Sequence, residues 1–114
     1  MNAKLGQSQK LLHDSLFELY IDGSLERVVL GTFGRKRELI IDLETSALTP
    51  EMGEIIRYRA VNRWDEGDEF DEWAKPSRPL SAEAERILGV TNEHLADCRA
   101  VDKVWADFAD FLNN

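Results

Sequence analysis

The sequence predicts a domain of the α+β or α/β class, in which strands lie between helices along the chain. An apolar run ends in two carboxylates near residues 39–44, and two segments with strand composition follow it. A strongly amphipathic segment then runs to the last residues of the chain. The predicted order is therefore a helix, then strands, then helices, and we expect neighbouring strands to be antiparallel.

The first part of the chain is predicted to be an extension with its own helix and strand. Leucines recur at helical spacing over residues 8–21, and an Asp-Gly pair ends this helix. Residues 25–33 have the β-branched and aromatic content of a strand. A charged connection follows, so we divide the chain into an extension, 1–37, and a domain, 38–114.

The domain is predicted to begin with three strands. Residues 39–43 form a short apolar run, which is typical of a strand buried on both faces. Residues 54–64 and 69–75 have the composition of the next two strands. Between them, residues 65–70 are predicted to form a hairpin connection around Gly67.

The remaining segments are predicted to be helical. Ser81 is a good N-cap and Gly89 a good stop for a short helix, and residues 90–95 favour a threonine-capped turn. The last helix is the clearest element, because its apolar residues fall on one stripe. They are Val101, Val104, Trp105, Phe108, Phe111 and Leu112.

Composition restricts the class of protein. A chain of 114 residues with 43% hydrophobic residues can form one small domain with a modest core. It contains no apolar run of the roughly 18 residues that span a bilayer, and no secretory signal pattern. Cys98 is the only cysteine, which excludes an internal disulfide and suits a reducing cytoplasm. We therefore expect a cytoplasmic protein without a membrane partner.

The net charge of −8 and the pI of about 4.7 indicate an acidic protein. This balance argues against a protein that coats nucleic acid through a basic surface. It is compatible with an enzyme that holds a phosphate through divalent cations, because such sites are acidic before the ion binds. Solubility alone also explains the charge, and for the charge by itself that simpler interpretation is preferred.

The carboxylates Asp42 and Glu44 are candidate metal ligands. Residues two apart on a strand point to the same side, so the two side chains are predicted to project together. Hard cations such as Mg²⁺ or Mn²⁺ bind one or two carboxylates together with a substrate phosphate. The alternative is a solvated acidic pair at a strand end, and the spacing alone favours that alternative.

Four further observations favour the metal site over the solvated pair. They are four segments that occur in this order: DLETSALTP, EIIRYRAV, KPSRPLSAEAERILGVT and VWADFADFL. Together they resemble the DnaQ-like DEDD family of 3′–5′ exonucleases, and within it the proofreading exonucleases of bacterial DNA polymerase III, of the PolC and epsilon types. The resemblance covers about residues 38–112. It implies the N-terminal part of an α/β, RNase H-like fold, with a mixed sheet of three to four strands and flanking helices.

The resemblance also implies roles for particular residues. Asp42 and Glu44 match the catalytic carboxylates of the family motif D-x-E-T-T-G-L, which bind Mg²⁺ or Mn²⁺. Other matched positions line the nucleotide at a 3′ end: Thr45, Ser46, Ala47, Leu48, Ala84 and Leu88. The structural alternatives are a hydroxyl-stabilised turn at Thr45 and Ser46, and simple helix burial at Ala84 and Leu88.

The chain departs from the family pattern in three places, one of which is Leu88, where many relatives carry a histidine before the glycine. Ala47 stands where the family has a glycine. An alanine is strained there if the backbone has a positive φ, and its methyl group narrows the nucleotide pocket if the position only requires close approach. Arg57 and Arg59 replace a glutamate and a glycine, and Arg63 follows on the same strand. These arginines form either a phosphate-contacting stripe or a solvated sheet face paired to the acidic stretch 65–72, and the second interpretation is preferred.

The family's chemistry needs two further aspartates and a histidine or tyrosine base, and the 114 residues contain no H-N-A-x-F-D motif. His13, His94, Asp107 and Asp110 do not match these positions. We therefore expect a truncated exonuclease domain that is catalytically incomplete as an isolated chain. The alternative is a non-catalytic, degenerate exonuclease fold that serves as a protein-interaction module or is a gene remnant.

The expected partners follow from the same resemblance. The main one is a nucleic acid 3′ end, DNA rather than RNA. A polymerase or a second chain would supply the missing motifs. An unfilled sheet edge beside residues 39–43 invites either a homodimer or a fold-back of residues 25–33 onto that edge, and the fold-back is preferred.

Overall fold

The computed structural model describes residues 28–30, 38–47 and 52–113. The helix predicted over residues 8–21 and the candidate residue Leu48 lie outside this part of the chain. Within it, every helix is too short or too polar to cross a membrane.

The described strands form one sheet in which chain order and spatial order agree. The strands are β1 (Val28–Leu30), β2 (Leu39–Thr45), β3 (Ile55–Asn62) and β4 (Asp65–Trp73). Each neighbouring pair is antiparallel, and the parallel pairing of a mixed sheet is limited, in the described residues, to a bridge between Lys75 and Ala100. The predicted α/β class with three to four strands is confirmed.

Strand β1 lies on the edge of β2 that faces away from β3. Val29 pairs with Ile40 at the centre of a three-residue ladder. The fold-back predicted for residues 25–33 is therefore confirmed for the described part of that segment. This pairing satisfies backbone groups that an open edge would present to another chain.

Strand β2 is buried on one face only, so the prediction of a strand buried on both faces is wrong. Leu39, Ile41 and Leu43 are buried, whereas Asp42 is exposed and Glu44 is half-buried. This alternation follows from the two-residue period of a strand. It places the two carboxylates on the side of the sheet opposite the core.

Strand β4 begins earlier than predicted. The turn between β3 and β4 consists of Arg63 and Trp64, and the acidic stretch assigned to the connection is already strand. The carboxamide oxygen of Asn62 accepts a hydrogen bond from the Trp64 backbone N–H at 3.0 Å, which stabilises this short turn. Pairing with β3 outweighs the low strand propensity of acidic residues, since β propensity depends strongly on context.

Three helices follow the sheet. They are α1 (Ala82–Leu88), α2 (Asn92–Ala96) and α3 (Val101–Asn113). The predicted caps are confirmed: the Ser81 hydroxyl accepts a hydrogen bond from the Ala84 N–H at 3.1 Å, and Gly89 ends α1 in the left-handed conformation. Thr91 caps α2 in the same way as Ser81 caps α1.

Helix α3 covers one face of the sheet with its aromatic stripe. The Tyr58 ring of β3 lies 6.1 Å from the Trp105 ring and 5.2 Å from the Phe108 ring, centroid to centroid. All three side chains are fully buried, and aromatic groups of this size dominate the free energy of a small core. Because α3 occupies this face, functional side chains on the sheet have to use the opposite one.

Candidate functional site

The sheet face opposite α3 carries a row of charged side chains that we call the aspartate row: Asp42, Arg59 and Asp71. The strand register sets Arg59 directly across from Asp42 on one side and from Asp71 on the other. Arg59 Nη1 donates a hydrogen bond to Asp42 Oδ2 at 3.3 Å, and Arg59 Nε lies 3.6 Å from Asp71 Oδ2. The side chains of Arg59 and Asp42 are 47% and 59% exposed, so their ion pair contributes at most about 1 kcal/mol.

A second row, the tryptophan row, contains Glu44, Arg57 and Trp73 in consecutive strands. The Arg57 guanidinium lies 4.9 Å from the centre of the Trp73 ring, within cation–π distance. It also donates two hydrogen bonds to the carboxylate of Asp71, each 3.1 Å long. Arg57 is therefore held at two points, and Arg59 is held more loosely.

Burial raises the pKa of the Glu44 carboxyl above its ordinary value, and the neighbouring charge of Asp42 acts in the same direction. The guanidinium groups of Arg57 and Arg59 partly offset this by lowering the pKa. Burial and the neighbouring acid together outweigh the two arginines, so the charged form of Glu44 is disfavoured relative to that of an exposed glutamate.

Asp42 and Glu44 lie on the same side of the sheet, as their spacing predicts. Their oxygens are suitable ligands for one hard divalent ion. Among the described residues, however, no group of three or more His, Cys, Asp or Glu side chains could hold a metal, and Asp42 already accepts a hydrogen bond from Arg59. The described donor set therefore fits a single weakly held ion and does not fit a two-ion centre.

The arginines of β3 and its turn are engaged in ion pairs. Arg57 and Arg59 contact Asp71, which confirms the predicted pairing with the acidic stretch. Arg63 lies in the turn and pairs with Glu38 at 3.1 Å. These contacts favour the paired sheet face over a phosphate-contacting stripe.

The turn after β2 is held by hydroxyl groups. The Thr45 hydroxyl donates to the Ala47 carbonyl at 3.1 Å, and the Ser46 hydroxyl accepts from the Glu54 backbone N–H at 2.9 Å. These bonds match the hydroxyl-stabilised turn that was the structural alternative. The backbone at Ala47 has no positive φ, so the replacement of the family's glycine causes no strain.

Glu54 is a residue of this region that sequence reasoning missed. Its side chain is 5% exposed, and Oε1 accepts hydrogen bonds from the backbone N–H and the hydroxyl of Ser77 at 2.7 and 2.8 Å. The backbone carbonyl of Glu54 also accepts a hydrogen bond from the backbone N–H of Ser46. It therefore joins the turn after β2 to the loop that leads to α1, and the only sequence signal was an acidic residue at a strand start.

A cavity of about 370 Å³ lies between this turn and helix α1. This volume falls at the lower end of the roughly 300–1,000 Å³ typical of small-molecule sites. The cavity is lined by Thr45, Ser46, Ala47, Ser81, Glu83, Ala84, Ile87 and Leu88. The described positions that the family resemblance assigned to a nucleotide are therefore brought together, although they come from two distant segments.

Ala84 and Leu88 serve both of the interpretations given for them. They line the cavity, and they also pack against a buried cluster formed by residues of β3, α2 and the adjoining loops. The other titratable residues considered lie elsewhere: His94 and Asp110 are exposed, and Asp107 pairs with Arg99 at 2.8 Å. His13 is outside the described residues.

Comparison with known proteins identifies related sequences for most of the chain. A family model described as exonuclease matches residues 39–114. A DNA polymerase III PolC-type protein of Thermotoga petrophila is 33% identical over 104 residues, which is 85% of this chain and 8% of the relative. A DNA polymerase III subunit epsilon of Rickettsia conorii is 34% identical over 82 residues, which is 68% of this chain and 36% of the relative.

The chain belongs to the exonuclease domain family, and its described sheet and helices are consistent with the RNase H-like fold of that family. Within the family it is related to DNA polymerase III proteins of the PolC and epsilon types, as the sequence resemblance predicted. The chain spans less than a tenth of the PolC-type relatives, and 36% of the subunit epsilon.

Proposed function

We propose that this chain carries the first acidic motif and the nucleotide cavity of a metal-dependent 3′–5′ exonuclease domain that acts on DNA 3′ ends. The observation that carries the proposal is the cavity between the β2 turn and α1, which begins immediately after Glu44. The relatives' names, which are those of DNA polymerases, favour DNA over RNA. Association with a polymerase and a cytoplasmic location belong to the same proposal.

The cavity residues suit a terminal nucleotide. Ala84 and Leu88 form an apolar wall that would contact the base. The turn after β2 provides polar groups that would contact the sugar. The family motif adds Leu48, by sequence match alone, to the residues that would contact the nucleotide. Asp42 and Glu44 would hold a Mg²⁺ or Mn²⁺ ion, which would neutralise phosphate charge when bound.

Filling the cavity tests nucleotide binding. We expect dTMP to shift the amide NMR signals of residues 45–47 and 84–88, and we expect Ala84→Phe to abolish these shifts because the new ring occupies the cavity. Ala82→Phe is the matched control, since Ala82 lies on the same helix, is exposed and does not line the cavity. Equal binding by the Ala84→Phe variant would contradict the proposal.

The catalytic incompleteness is tested with a 3′-labelled oligonucleotide. A polypeptide of these 114 residues has two of the family's carboxylates and no matching base, so we expect no release of nucleotides in Mg²⁺ or Mn²⁺ from DNA or from RNA. Asp42→Ala provides the blank for contaminating nucleases. Metal-dependent release that Asp42→Ala abolishes would show that the chain is active alone, without a second chain or a polymerase.

A second candidate is a non-catalytic exonuclease fold used for protein contact. It is supported by the hydrogen bond between Asp42 and Arg59, together with the lack of a third metal ligand among the described residues. Mn²⁺ separates the candidates, because a bound paramagnetic ion broadens nearby NMR signals. Broadening that is strongest at residues 42–47 and at the facing residues of β3 supports the exonuclease site, and its absence at millimolar Mn²⁺ supports the non-catalytic fold.

A further inference from the structure

Arg59 occupies an unusual position for a residue beside a proposed metal ligand. It is fixed by backbone register between two carboxylates, hydrogen-bonded to Asp42 at 3.3 Å and lying 3.6 Å from Asp71. Its side chain is about half exposed, so water screens both contacts and neither holds it firmly. A small rotation would strengthen one contact at the expense of the other.

We propose that Arg59 is an internal counter-cation that competes with a divalent ion for Asp42, and that Asp71 accepts Arg59 when the ion binds. This inference rests on the proposed ion site at Asp42 and Glu44. It assigns to Arg59 and Asp71 the control of how tightly that site binds.

The repulsion between the Arg59 guanidinium and a divalent ion on Asp42 determines how strongly the two compete. A divalent ion on Asp42 would lie roughly 5 Å from the guanidinium, and in water-like surroundings their repulsion corresponds to about a tenfold loss of affinity. The existing ion pair is too weak to exclude the ion altogether. Arg59 should therefore lower the affinity of the site without closing it.

Arg57 is not equivalent to Arg59, although it lies opposite Glu44. The Arg57 guanidinium is fixed on Asp71 by two hydrogen bonds and lies over the ring of Trp73, and its charge also acts on Glu44. Asp71 is thus already a strong acceptor on the far side of the face. Its second oxygen, which Arg57 also uses, is the one nearest to Arg59.

The test measures Mn²⁺ binding to the 114-residue chain from the electron paramagnetic resonance signal of the free ion. We expect Arg59→Gln to bind Mn²⁺ about tenfold more tightly than the parent chain. Arg63→Gln removes the same charge from the neighbouring turn, where the arginine pairs with Glu38, and should change the affinity less than about twofold. Asp42→Asn should abolish the Mn²⁺-induced NMR broadening at residues 42–47 in both the parent chain and the Arg59→Gln chain.

A second pair of variants tests the role of Asp71. Asp71→Asn should weaken Mn²⁺ binding because Arg59 then stays on Asp42, and this effect should shrink in the Arg59→Gln background. Glu69→Gln is the matched control, since Glu69 lies on β4 two residues from Asp71 and faces Val61 rather than an arginine. The effect of Asp71→Asn should exceed that of Glu69→Gln in the parent chain, and the excess should be smaller in the Arg59→Gln chain, where only Arg57 still pairs with Asp71.

The outcomes distinguish this inference from the proposed function. Equal, measurable Mn²⁺ affinities for Arg59→Gln and Arg63→Gln would overturn the counter-cation role and leave the ion site standing. Absence of site-specific binding in every variant, including Arg59→Gln, would overturn both. An effect of Asp71→Asn that is the same in both backgrounds would overturn the role of Asp71 as acceptor.

Discussion

Tyr58 shows how a single residue sets part of the stability of this small domain. Its ring is enclosed by the aromatic residues of α3, and its hydroxyl is buried without a hydrogen-bond partner in the described residues. A buried polar group without a partner carries a desolvation cost. Burial, together with the charge of Glu54, also raises the pKa of Tyr58 well above its ordinary value.

Tyr58→Phe should therefore keep the packing of the ring against α3 and remove the desolvation cost of the buried hydroxyl. We expect the free energy of unfolding at neutral pH to stay equal or to rise by about 1 kcal/mol, measured by urea denaturation. Tyr58→Ala is the contrasting variant and should lose about 3 kcal/mol or more through the cavity it leaves. A clear loss of stability in Tyr58→Phe would show that the hydroxyl has a partner.

The same variant has an expected dependence on pH. Above about pH 10 a tyrosine in the unfolded chain loses its proton, whereas buried Tyr58 keeps it, so the unfolded state binds fewer protons. The folded chain should accordingly lose stability as the pH rises beyond that point. Tyr58→Phe should lose less over the same interval, and identical alkaline profiles would contradict this account.

The residues of the aspartate row also show what sequence alone can provide. The shared side of Asp42 and Glu44 follows from strand periodicity, and the pairing of the β3 arginines with the acidic stretch 65–72 was the preferred prediction. Which arginine meets which acid could not be predicted, because that depends on the register of β2 and β3, and register is fixed by the turns and the buried face together.

Among the elements, α1 offers a direct test of a helix stop. Gly89 has φ 71°, and a Cβ placed there would meet no atom within 4 Å. Gly89→Ala should therefore cost only the backbone strain, about 1 kcal/mol in the free energy of unfolding, measured by urea denaturation. Gly67→Ala is the control at a glycine without a positive φ, and it should cost less; equal costs would contradict the strain argument.

Elements with a strong pattern were predictable and those that depend on tertiary pairing were not. The cap residues and the apolar stripe of α3 are local signals, and both are confirmed. The start of β4 was misjudged because glycine and acidic residues are typical of turns, and only the ladder with β3 makes them strand. The link from Glu54 to Ser77 spans distant segments and leaves no local signal.

At the scale of the whole molecule, the two sheet edges govern association. The edge strand β4 is rich in acidic residues: Asp65, Glu66, Asp68, Glu69, Asp71 and Glu72. Charged edge strands resist pairing with a second copy. On the other side, β1 covers part of β2, which is the strand that carries the candidate ligands.

We expect the 114-residue chain to be a monomer by light scattering, and we expect a polypeptide of residues 38–114 to associate. The reason is that removing β1 exposes the apolar edge of β2. The molar mass of the shorter polypeptide is measured by light scattering under the same conditions, and circular dichroism checks that it is folded. A folded, monomeric 38–114 polypeptide would show that β1 does not protect this edge.

The opposed charges on the face away from α3 have a consequence for how the chain finds its alignment. Sliding β3 along β2 by two residues would preserve the alternation of buried and exposed positions, so burial alone barely distinguishes the shifted hairpins from the native one. Such a slide would, however, separate Asp42 from Arg59 and leave one of the two acids facing an uncharged neighbour. The attraction between these charges therefore helps to select the native register and adds little to the free energy of unfolding. Because salt screens exposed charges, high salt should weaken the selection of register more than the stability.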